Sequence, residues 1–265
     1  MTWLQTIVLA IVQGLTEFLP VSSSGHLVLV PAVLGWADQG LTFDVAVHFG
    51  SLVAVVVYFR DGLKSLVSGG AKLLVGNSAS RESKMALYIV VGTVPAAIAG
   101  LLFAGWIETN LRDPLVIVYT LAGYGVLMAL ADHFGRHERI TADIGLKDAL
   151  IIGVAQALAL IPGTSRSGIT ISAALMLGFQ RSDAARFSFM LSAPVILLAT
   201  GYEATLILIE GTPIAWAQLA IGASISAVVA YLSIDFFMRF VNVIGLLPFT
   251  LYRLVLAGVV WYAVV

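Results

Sequence analysis

The sequence predicts an all-α, polytopic membrane protein with six transmembrane helices and two re-entrant helical hairpins, arranged as an inverted repeat. Three observations predict this fold: the apolar composition, two interrupted hydrophobic regions, and an internal similarity between them. Of the 265 residues, 60% are hydrophobic and 11% are charged, and the mean hydropathy is +1.00. Soluble domains contain roughly 25% charged residues. Most of the surface of this chain is therefore expected to face lipid.

Charge and cysteine content exclude several classes of function. The net charge is −1 and the pI is about 6.4, so the chain lacks the basic excess that follows a nucleic-acid backbone. There are no cysteines, which excludes disulfides, thiolate metal sites and thiol nucleophiles. The N-terminal segment has no positive region before its apolar stretch and no small-residue cleavage site, so we interpret it as mature structure.

Six segments are apolar and close to the roughly 20 residues that a membrane-spanning helix needs. They are 43–60, 86–108, 115–133, 185–209, 215–239 and 246–265. Two other apolar regions, 3–36 and 148–179, are interrupted by prolines, glycines and polar residues. Irregular backbone within a bilayer is tolerated only where protein or a wet cavity surrounds it. We therefore predict that these two regions are re-entrant hairpins.

The sequences of the two interrupted regions resemble each other when they are aligned with one constant shift. This shift places residue 13 on residue 156. The same shift pairs seven identical residues: Gln13 with Gln156, Leu15 with Leu158, Ser22 with Ser165, Ser24 with Ser167, Gly25 with Gly168, Leu34 with Leu177, and Gly35 with Gly178. We predict a single membrane domain, 1–265, with repeat halves at about 1–135 and 145–265. Each half would contain a hairpin and three spans, and this odd number of crossings inverts the second half.

The distribution of lysine and arginine predicts the orientation. Eleven of the fourteen basic residues fall on one face: Arg60, Lys64, Lys72, Arg81, Lys84, Arg136, Arg139, Lys147, Arg181, Arg186 and Arg239. The opposite face has only Arg112. Short cytoplasmic loops carry the positive excess, so both termini are predicted to be extracytoplasmic. The hairpins would then enter from opposite sides, and their tips would converge.

Two charged residues, Glu17 and Arg166, lie in the apolar surroundings of the interrupted regions. A charge at the bilayer centre costs about 2.5 to 3.5 kcal/mol on insertion scales. A simple ion pair between the two residues, or a role in capping a helix, would be enough to explain why these charges are there. The guanidinium of Arg166 also suits phosphate oxygens, and it is surrounded by small and hydroxyl residues at the start of a helix: Gly163, Thr164, Ser165, Ser167 and Gly168. This combination is typical of an anion site.

The first interrupted region supplies a carboxylate, a hydroxyl and an imidazole: Glu17, Ser23 or a neighbouring serine, and His26. Together these groups resemble the parts of an activated nucleophile or water. Serine runs after a proline are more often helix caps, and a lone histidine is more often a core residue. The repeat aligns this segment with the loop that carries Arg166, and this alignment favours a catalytic role over the two structural ones. His48 is a candidate supporting partner, and a packed core position is an equal alternative.

The residues that carry these features resemble the two signature motifs of the undecaprenyl-diphosphatase family. The motifs are QGLTEFLPVSSSGH at 13–26 and PGTSRSGIT at 162–170. The resemblance extends to the length, the order of spans, FSFMLSAP at 187–194 and LPFTLYR at 247–253. It implies hydrolysis of undecaprenyl diphosphate to undecaprenyl phosphate and inorganic phosphate, which recycles the carrier lipid of cell-wall synthesis. It also implies the bacterial inner membrane and a divalent cation, Mg²⁺ or Ca²⁺.

Site residues follow from the resemblance by position. It implies that Glu17, Ser23, His26 and Arg166 are catalytic. Residues implied to bind phosphate are Gly163, Thr164, Ser165, Ser167, Gly168 and Thr170, and the supporting residues are Gln13, Ser22, Ser24 and Gln156. Glu17 is the implied metal ligand. The family's first motif often begins with Glu where this chain has Gln13, so a mechanism that needs two carboxylates from this segment is doubtful here. Gln13 can donate or accept hydrogen bonds but is a poor metal ligand and no general base, which leaves Glu17 as the leading acidic group.

The sequence leaves several alternatives open. The nucleophile is Ser23, His26 or water. A lipid-phosphate transporter or flippase would use the same phosphate cradle, because inverted repeats with broken helices are typical of carriers. An intramembrane peptide hydrolase would leave the arginine without a role. An extracytoplasmic opening of the site is favoured, and the oligomeric state stays open, a homodimer included.

Overall fold

The fold is described by a computed structural model, which covers residues 1–111, 113–210 and 214–264. These residues form helices and connecting segments without a β-strand, apart from one isolated bridge between Arg139 and Phe179. The helices are α1 (Trp3–Thr16), α2 (Ser23–Leu34), α3 (Leu41–Tyr58), α4 (Arg60–Leu74), α5 (Arg81–Asn110), α6 (Pro114–Phe134), α7 (Leu146–Ala157), α8 (Arg166–Met176), α9 (Arg181–Glu210), α10 (Trp216–Ile244) and α11 (Leu247–Val264). Short 3₁₀ turns occupy 141–143 and 158–160.

Five helices in the described part of the chain are long and apolar enough to cross a membrane. They are α3, α5, α6, α9 and α10, and α11 is a shorter apolar helix. The predicted class, an all-α membrane protein, is confirmed. The number of six spans with two re-entrant hairpins stays a prediction. Arg112, the one basic residue predicted on the opposite face, lies outside the described residues.

Helices α1 and α2 form a hairpin whose two ends lie beside the start of α10. The Gln218 side chain donates to the Met1 carbonyl at 2.8 Å, and the Phe43 ring at the start of α3 packs on Gly222. Between these points the chain reaches deeper, where the Ser233 hydroxyl donates to the Leu15 carbonyl at 3.0 Å. The hairpin therefore enters and returns at one end of the helix bundle.

Helices α7 and α8 form the second hairpin, and the loop before α7 holds both of its ends. The Arg139 guanidinium donates to the Asp148 carboxylate in the first turn of α7, at 2.6 and 3.1 Å, and to the Leu177 carbonyl after α8, at 3.0 Å. The hydrogen bonds to Asp148 raise the pKa of Arg139 above its ordinary value, so this clamp stays charged.

The basic segments meet at one end of the molecule. Arg181 binds Asp132 at 2.5 Å, which joins the start of α9 to the end of α6, and the Ser182 amide donates to Asn242 near the end of α10. Since α10 starts beside Met1, the N-terminus lies at the opposite end. The C-terminal part of α11 lies there too, because Trp261 packs on Tyr119 near the start of α6. Both chain ends are thus far from most lysines and arginines.

Helix α4 is the main difference from the sequence prediction, which treated 60–84 as a basic loop. Residues 60–74 form a helix that packs along the start of α5, where Gly69 lies against the backbone of Glu82. A search for apolar segments of membrane-spanning length misses a short helix that is apolar on only part of its circumference. Helix α5 also begins earlier than predicted, because Ser80 caps the helix at Arg81.

Candidate active site

The tips of the two hairpins have the same local geometry at the positions that the repeat pairs. Ser22 and Ser165 cap α2 and α8 with φ angles of 75° and 72°. Their hydroxyls accept hydrogen bonds from the amides of Gly25 and Gly168. Non-glycine residues rarely adopt this left-handed region. Two serines that adopt it in equivalent loops indicate that the tips are held in a strained conformation.

The two tips meet through a buried ion pair. The Arg166 guanidinium donates to Glu17 Oε1 at 2.9 Å, and the two side chains are only 12% and 7% exposed. The Ser167 hydroxyl donates to the Leu19 carbonyl at 3.2 Å, which adds a second contact between the hairpins. The guanidinium also lies 5.6 Å from the centre of the Phe18 ring. The charged residues of the two interrupted regions therefore share one site.

Glu17 is the centre of the hydrogen-bond network. Its second oxygen, Oε2, accepts from the Ser23 hydroxyl at 2.7 Å and from the Gln13 amide at 3.0 Å. The His48 ring nitrogen Nε2 lies 3.7 Å from the same oxygen, and His48 Nδ1 binds the Asp44 carbonyl at 2.7 Å. The carboxylate thus contacts the candidate nucleophile with one oxygen and the candidate phosphate ligand with the other.

His26 is directed away from this network. Its Nδ1 lies 2.7 Å from the Ser22 carbonyl, and its Nε2 lies 2.6 Å from the Tyr252 hydroxyl. The two rings are nearly parallel, with an angle of 8° and centres 5.6 Å apart. Among the described residues, His26 has no hydrogen bond or ion pair with Glu17, Ser23 or Arg166. The grouping of His26 with Glu17 and Ser23, expected from the sequence, therefore lacks a direct contact.

The loop before α8 combines tight backbone with buried hydroxyls. Gly163 has a φ of 86° and lies against Thr120, so a side chain has no room there. The Thr164 hydroxyl is buried and has no hydrogen-bond partner among the described residues. Ser165 and Ser167 bind each other at 3.3 Å. Among these loop hydroxyls, that of Thr164 is therefore the one free to form a hydrogen bond with a ligand.

Thr170 and the supporting residues mostly fasten the hairpins to other helices. The Thr170 hydroxyl lies 2.6 Å from the Ser188 hydroxyl of α9. Within the first hairpin tip, the Ser24 hydroxyl lies 3.5 Å from that of Ser22. The Gln156 amide donates to the Gly92 carbonyl of α5 at 3.2 Å. Gln13 and Gln156, which the repeat pairs, each have a buried Oε1 without a hydrogen-bond partner in the described structure.

The sequence did not assign a site role to Arg253, which joins both hairpin tips. This side chain is 1% exposed. Its guanidinium donates to five backbone carbonyls, those of Pro20, Thr120, Leu121, Gly163 and Thr164, at 3.0 to 3.5 Å. Its position in an otherwise apolar C-terminal segment was a signal of burial within protein, because arginine is rarely placed against lipid.

The donor set around Glu17 decides whether a divalent cation would fit this site. The described residues contain no cluster of three or more His, Cys, Asp or Glu that could hold a metal. They do offer the Glu17 carboxylate and, beside it, the unpartnered Oε1 of Gln13. Carboxylate and amide oxygens are suitable ligands for Mg²⁺ and Ca²⁺, and Mg²⁺ commonly takes its remaining ligands from water and substrate phosphates. The residues fit a cation that is shared with a phosphorylated ligand.

Apolar helices around a buried arginine–carboxylate pair, with a serine hydroxyl beside it, define a polytopic membrane protein whose charged residues meet between two hairpin tips. Comparison with known proteins identifies the family. The profile described as "Bacitracin resistance protein BacA" matches residues 6–259, and the chain belongs to this family.

Relatives match over nearly their whole length. An undecaprenyl-diphosphatase of Hahella chejuensis is 53% identical over 266 residues, with 98% of each chain covered. An undecaprenyl-diphosphatase of Teredinibacter turnerae is 48% identical over 264 residues and 100% of both chains. A protein of Stutzerimonas stutzeri named undecaprenyl-diphosphatase 2 is 51% identical, covering 98% of this chain and 97% of the relative.

Proposed function

We propose that this protein hydrolyses undecaprenyl diphosphate to undecaprenyl phosphate and inorganic phosphate. Relatives with that activity in their names match the full chain at about half identity. The observation that carries the proposal is the contact of one carboxylate, Glu17, with both the Ser23 hydroxyl and the Arg166 guanidinium. The product is the carrier lipid used in cell-wall synthesis, so the reaction returns this lipid to use.

Substrate binding would exchange one anion for another at Arg166. Without substrate, the guanidinium is neutralised by Glu17. A diphosphate brings oxygens that suit the planar set of N–H donors of arginine. The buried Thr164 hydroxyl is available as a further donor. When the terminal phosphate takes the guanidinium, Glu17 Oε1 is released, while Oε2 keeps the hydrogen bond through which it can accept the Ser23 proton.

The short hydrogen bond from the Ser23 hydroxyl to the Glu17 carboxylate favours serine as the nucleophile. Ser23 Oγ attacks the terminal phosphorus while its proton passes to Glu17 Oε2. The bond between this phosphorus and the bridging oxygen breaks, and undecaprenyl phosphate leaves with the electron pair. A water oxygen then attacks the phosphorus of phosphoserine, the bond from phosphorus to Ser23 Oγ breaks, and the proton held by Glu17 returns to Oγ. Inorganic phosphate, which keeps the protons of the water, leaves the site. Arg166 stabilises the charge on the transferring phosphoryl oxygens, which is the main contribution in such reactions.

The proposal includes a divalent cation, because oxygen donors lie close to Ser23. Glu17 and the free amide oxygen of Gln13 would hold Mg²⁺ or Ca²⁺ together with the substrate. The ion would supply positive charge against the diphosphate. The hydrogen bond from its amide nitrogen to Glu17 holds the Gln13 side chain in place, and its amide oxygen is a weaker ligand than a carboxylate.

The proposed setting is the bacterial inner membrane, with both termini on the extracytoplasmic side. The basic segments lie at the end of the molecule away from the termini, as described above, and the positive-inside rule assigns that end to the cytoplasm. The polyprenyl tail would lie in lipid between helices. The hairpin α1–α2, which carries Ser23, enters from the extracytoplasmic end, and this favours a site that opens there.

Phosphate release by detergent-solubilised protein tests the function. With undecaprenyl diphosphate we expect release by the parent protein, and for Arg166→Ala a loss of about 10²- to 10³-fold, the usual effect of removing a transition-state donor. Arg186→Ala, an exposed arginine of α9, is the matched control. A transporter would release no phosphate in detergent, and that result would refute the proposal.

Trapping the phosphorylated protein tests the nucleophile separately. Substrate labelled in its terminal phosphate should transfer the label to Ser23, and Ser23→Ala should abolish both labelling and turnover. Ser224→Ala, on an exposed part of α10, is the control. Near-normal turnover of Ser23→Ala would end the serine mechanism and leave water or His26 as the nucleophile. Label found on His26 would assign that residue instead.

A further inference from the structure

Helix α4, Arg60–Leu74, has three distinct sides. One side packs on the protein: Gly69 lies against the backbone of Glu82, and Gly62 contacts the Met190 side chain. Both contacts involve glycine, which lets the helix approach its neighbours closely. These contacts hold α4 against α5 and α9. Leu63 and Leu66 are half-buried and also pack against the hydrophobic core, whereas much of the remaining circumference is exposed.

The second side is an apolar stripe. Leu63, Val67 and Leu74 follow each other at intervals of one and two helical turns, so they lie on one line along the helix. Val67 and Leu74 are 75% and 91% exposed. Val75, directly after the helix, is exposed as well. Large apolar side chains in such a row do not remain in water without a partner.

The third side is polar and basic, and it adjoins the apolar stripe. It carries Arg60, Lys64 and Lys72, with Asp61 as the acidic residue of the helix. Over 60–84, five basic residues (Arg60, Lys64, Lys72, Arg81 and Lys84) stand against two acidic ones (Asp61 and Glu82). Ion pairs of Arg60 with Asp61 at 4.0 Å and Lys72 with Glu82 at 3.5 Å neutralise part of this charge. A net positive charge of three remains on the segment.

These properties exclude α4 from the membrane-spanning class. At about 1.5 Å per residue, a helix of 15 residues measures roughly 22 Å, which is less than the ~30 Å hydrocarbon core. A helix with one apolar stripe, a Lys-rich flank and low overall hydropathy is typical of helices that lie in the plane of the lipid–water interface.

We propose that α4 lies in this interface and binds anionic lipid headgroups of the bilayer that contains the protein. Val67 and Leu74 enter the boundary of the acyl chains, while Lys64 and its basic neighbours contact the headgroups. The occupant of the exposed stripe is therefore a negatively charged lipid surface, because the flank beside the stripe carries the complementary charge. This surface is separate from the site at Glu17 and Arg166. The lipid-binding proposal therefore does not depend on the proposed reaction.

Single cysteines provide the first test, since the chain has no cysteine of its own. Val67→Cys and Leu74→Cys would be reconstituted in nanodiscs of phosphatidylcholine and phosphatidylglycerol and treated with a membrane-impermeant maleimide. Ser68→Cys and Asp61→Cys, on the polar side of the same helix, are matched controls. We expect the two apolar positions to react several times more slowly than the controls, because an interfacial helix buries its apolar face about 5 to 10 Å into the boundary of headgroups and acyl chains. Equal rates would overturn the proposal.

A lipid-borne quencher distinguishes lipid from a second copy of the chain. A fluorophore on Val67→Cys should be quenched by spin-labelled lipid more strongly than one on Ser68→Cys. A contact with a second copy would protect Val67→Cys from the maleimide and leave its fluorophore unquenched by lipid. That pattern would overturn the proposal in favour of a dimer.

Headgroup preference is tested with the triple variant Arg60→Gln, Lys64→Gln and Lys72→Gln. Each basic residue near an anionic surface strengthens binding by about fivefold, so protection of Val67→Cys should increase with the phosphatidylglycerol content. The triple variant should lose this dependence, and Arg239→Gln, an exposed arginine of α10, should keep it. If protection in the parent background is the same in pure phosphatidylcholine, the anionic-lipid proposal is overturned.

Discussion

At the scale of single residues, hydrogen-bond chemistry fixes the state of His26. The Ser22 carbonyl can only accept a hydrogen bond, so His26 Nδ1 carries the proton of the neutral ring. Its Nε2 then accepts from the Tyr252 hydroxyl. The imidazole is thus held in one tautomer, and its free electron pair points to α11 and away from Ser23. This arrangement explains why the proposed mechanism assigns the serine proton to Glu17.

Tyr252→Phe should affect the reaction through the position of His26, whose Nδ1 binds the carbonyl of Ser22, directly before the proposed nucleophile Ser23. Phenylalanine keeps the stacked ring but removes the donor, so a part-buried acceptor loses its partner, which destabilises the fold by about 1 to 3 kcal/mol. We expect the ¹⁵N NMR signals of the His26 ring to show a changed hydrogen bond at Nε2, together with a severalfold lower kcat at similar KM. This change in kcat tests whether the orientation of His26 matters for turnover.

Tyr262→Phe is the control for this experiment, because Tyr262 lies on the same helix and is exposed. It should leave both the NMR signals and kcat unchanged. Unaltered His26 signals and kcat in Tyr252→Phe would show that the tyrosine only packs against the imidazole and does not orient it.

At the scale of structural elements, the sequence predicted the hairpins better than the side chains at their tips. Alternation of apolar arms with Pro, Gly and Ser located the paired short helices α1–α2 and α7–α8. That these pairs are re-entrant stays a prediction, based on the few ways in which irregular backbone fits inside a bilayer. The direction of His26 was not predictable, since it depends on Tyr252, which is remote in sequence. Helix α4 was missed because its apolar residues occupy only one stripe. The role of Arg253 required knowledge of which carbonyls surround it.

The two serine caps allow a test of strain in the hairpin tips. Replacing Ser165 by alanine removes the cap, which costs about 0.5 to 2 kcal/mol, and keeps a side chain at positive φ. Replacing it by glycine also removes the cap but relieves the φ strain. We therefore expect Ser165→Gly to be more stable than Ser165→Ala by about 1 kcal/mol. Thermal unfolding in detergent would measure the difference.

The repeat predicts the same order for Ser22, which has the equivalent φ angle and the equivalent bond to a glycine amide. Ser224, in the regular part of α10, is the control, and there alanine should be more stable than glycine, as in any helix interior. If glycine is the worse substitution at both tips, the positive φ angles carry no strain.

At the scale of the whole molecule, two hairpins that enter from opposite ends are joined at the centre. The basic end holds α7 and α8 through Arg139, and the other end holds α1 and α2 beside the start of α10. Between them, the ion pair of Glu17 and Arg166 is the contact that substrate would disturb. Arg253 therefore keeps the tips together when the ion pair opens, along with the hydrogen bond from Ser167 to the Leu19 carbonyl.

This role makes Arg253 the residue whose loss should affect fold and activity together. Arg253→Met keeps an apolar stem of similar length but leaves five buried carbonyls without their shared donor. A buried acceptor that loses its donor costs about 1 to 3 kcal/mol, and several are affected here. We expect a clear fall in Tm and a loss of phosphate release that is greater than the loss of folded protein.

Arg253→Lys separates charge from geometry in the same position. Lysine keeps the positive charge but has three donors on one nitrogen, so it cannot reach the carbonyls of both tips and of α6 at once. We expect its Tm to lie between those of the parent and Arg253→Met, with activity closer to Arg253→Met, because turnover requires the tips in register. Arg239→Met, at an exposed position, should change the stability by less than about 0.5 kcal/mol. If Arg253→Lys keeps full activity, positive charge alone suffices at the centre, and the bonds to the two tips are not what aligns Ser23 with Arg166.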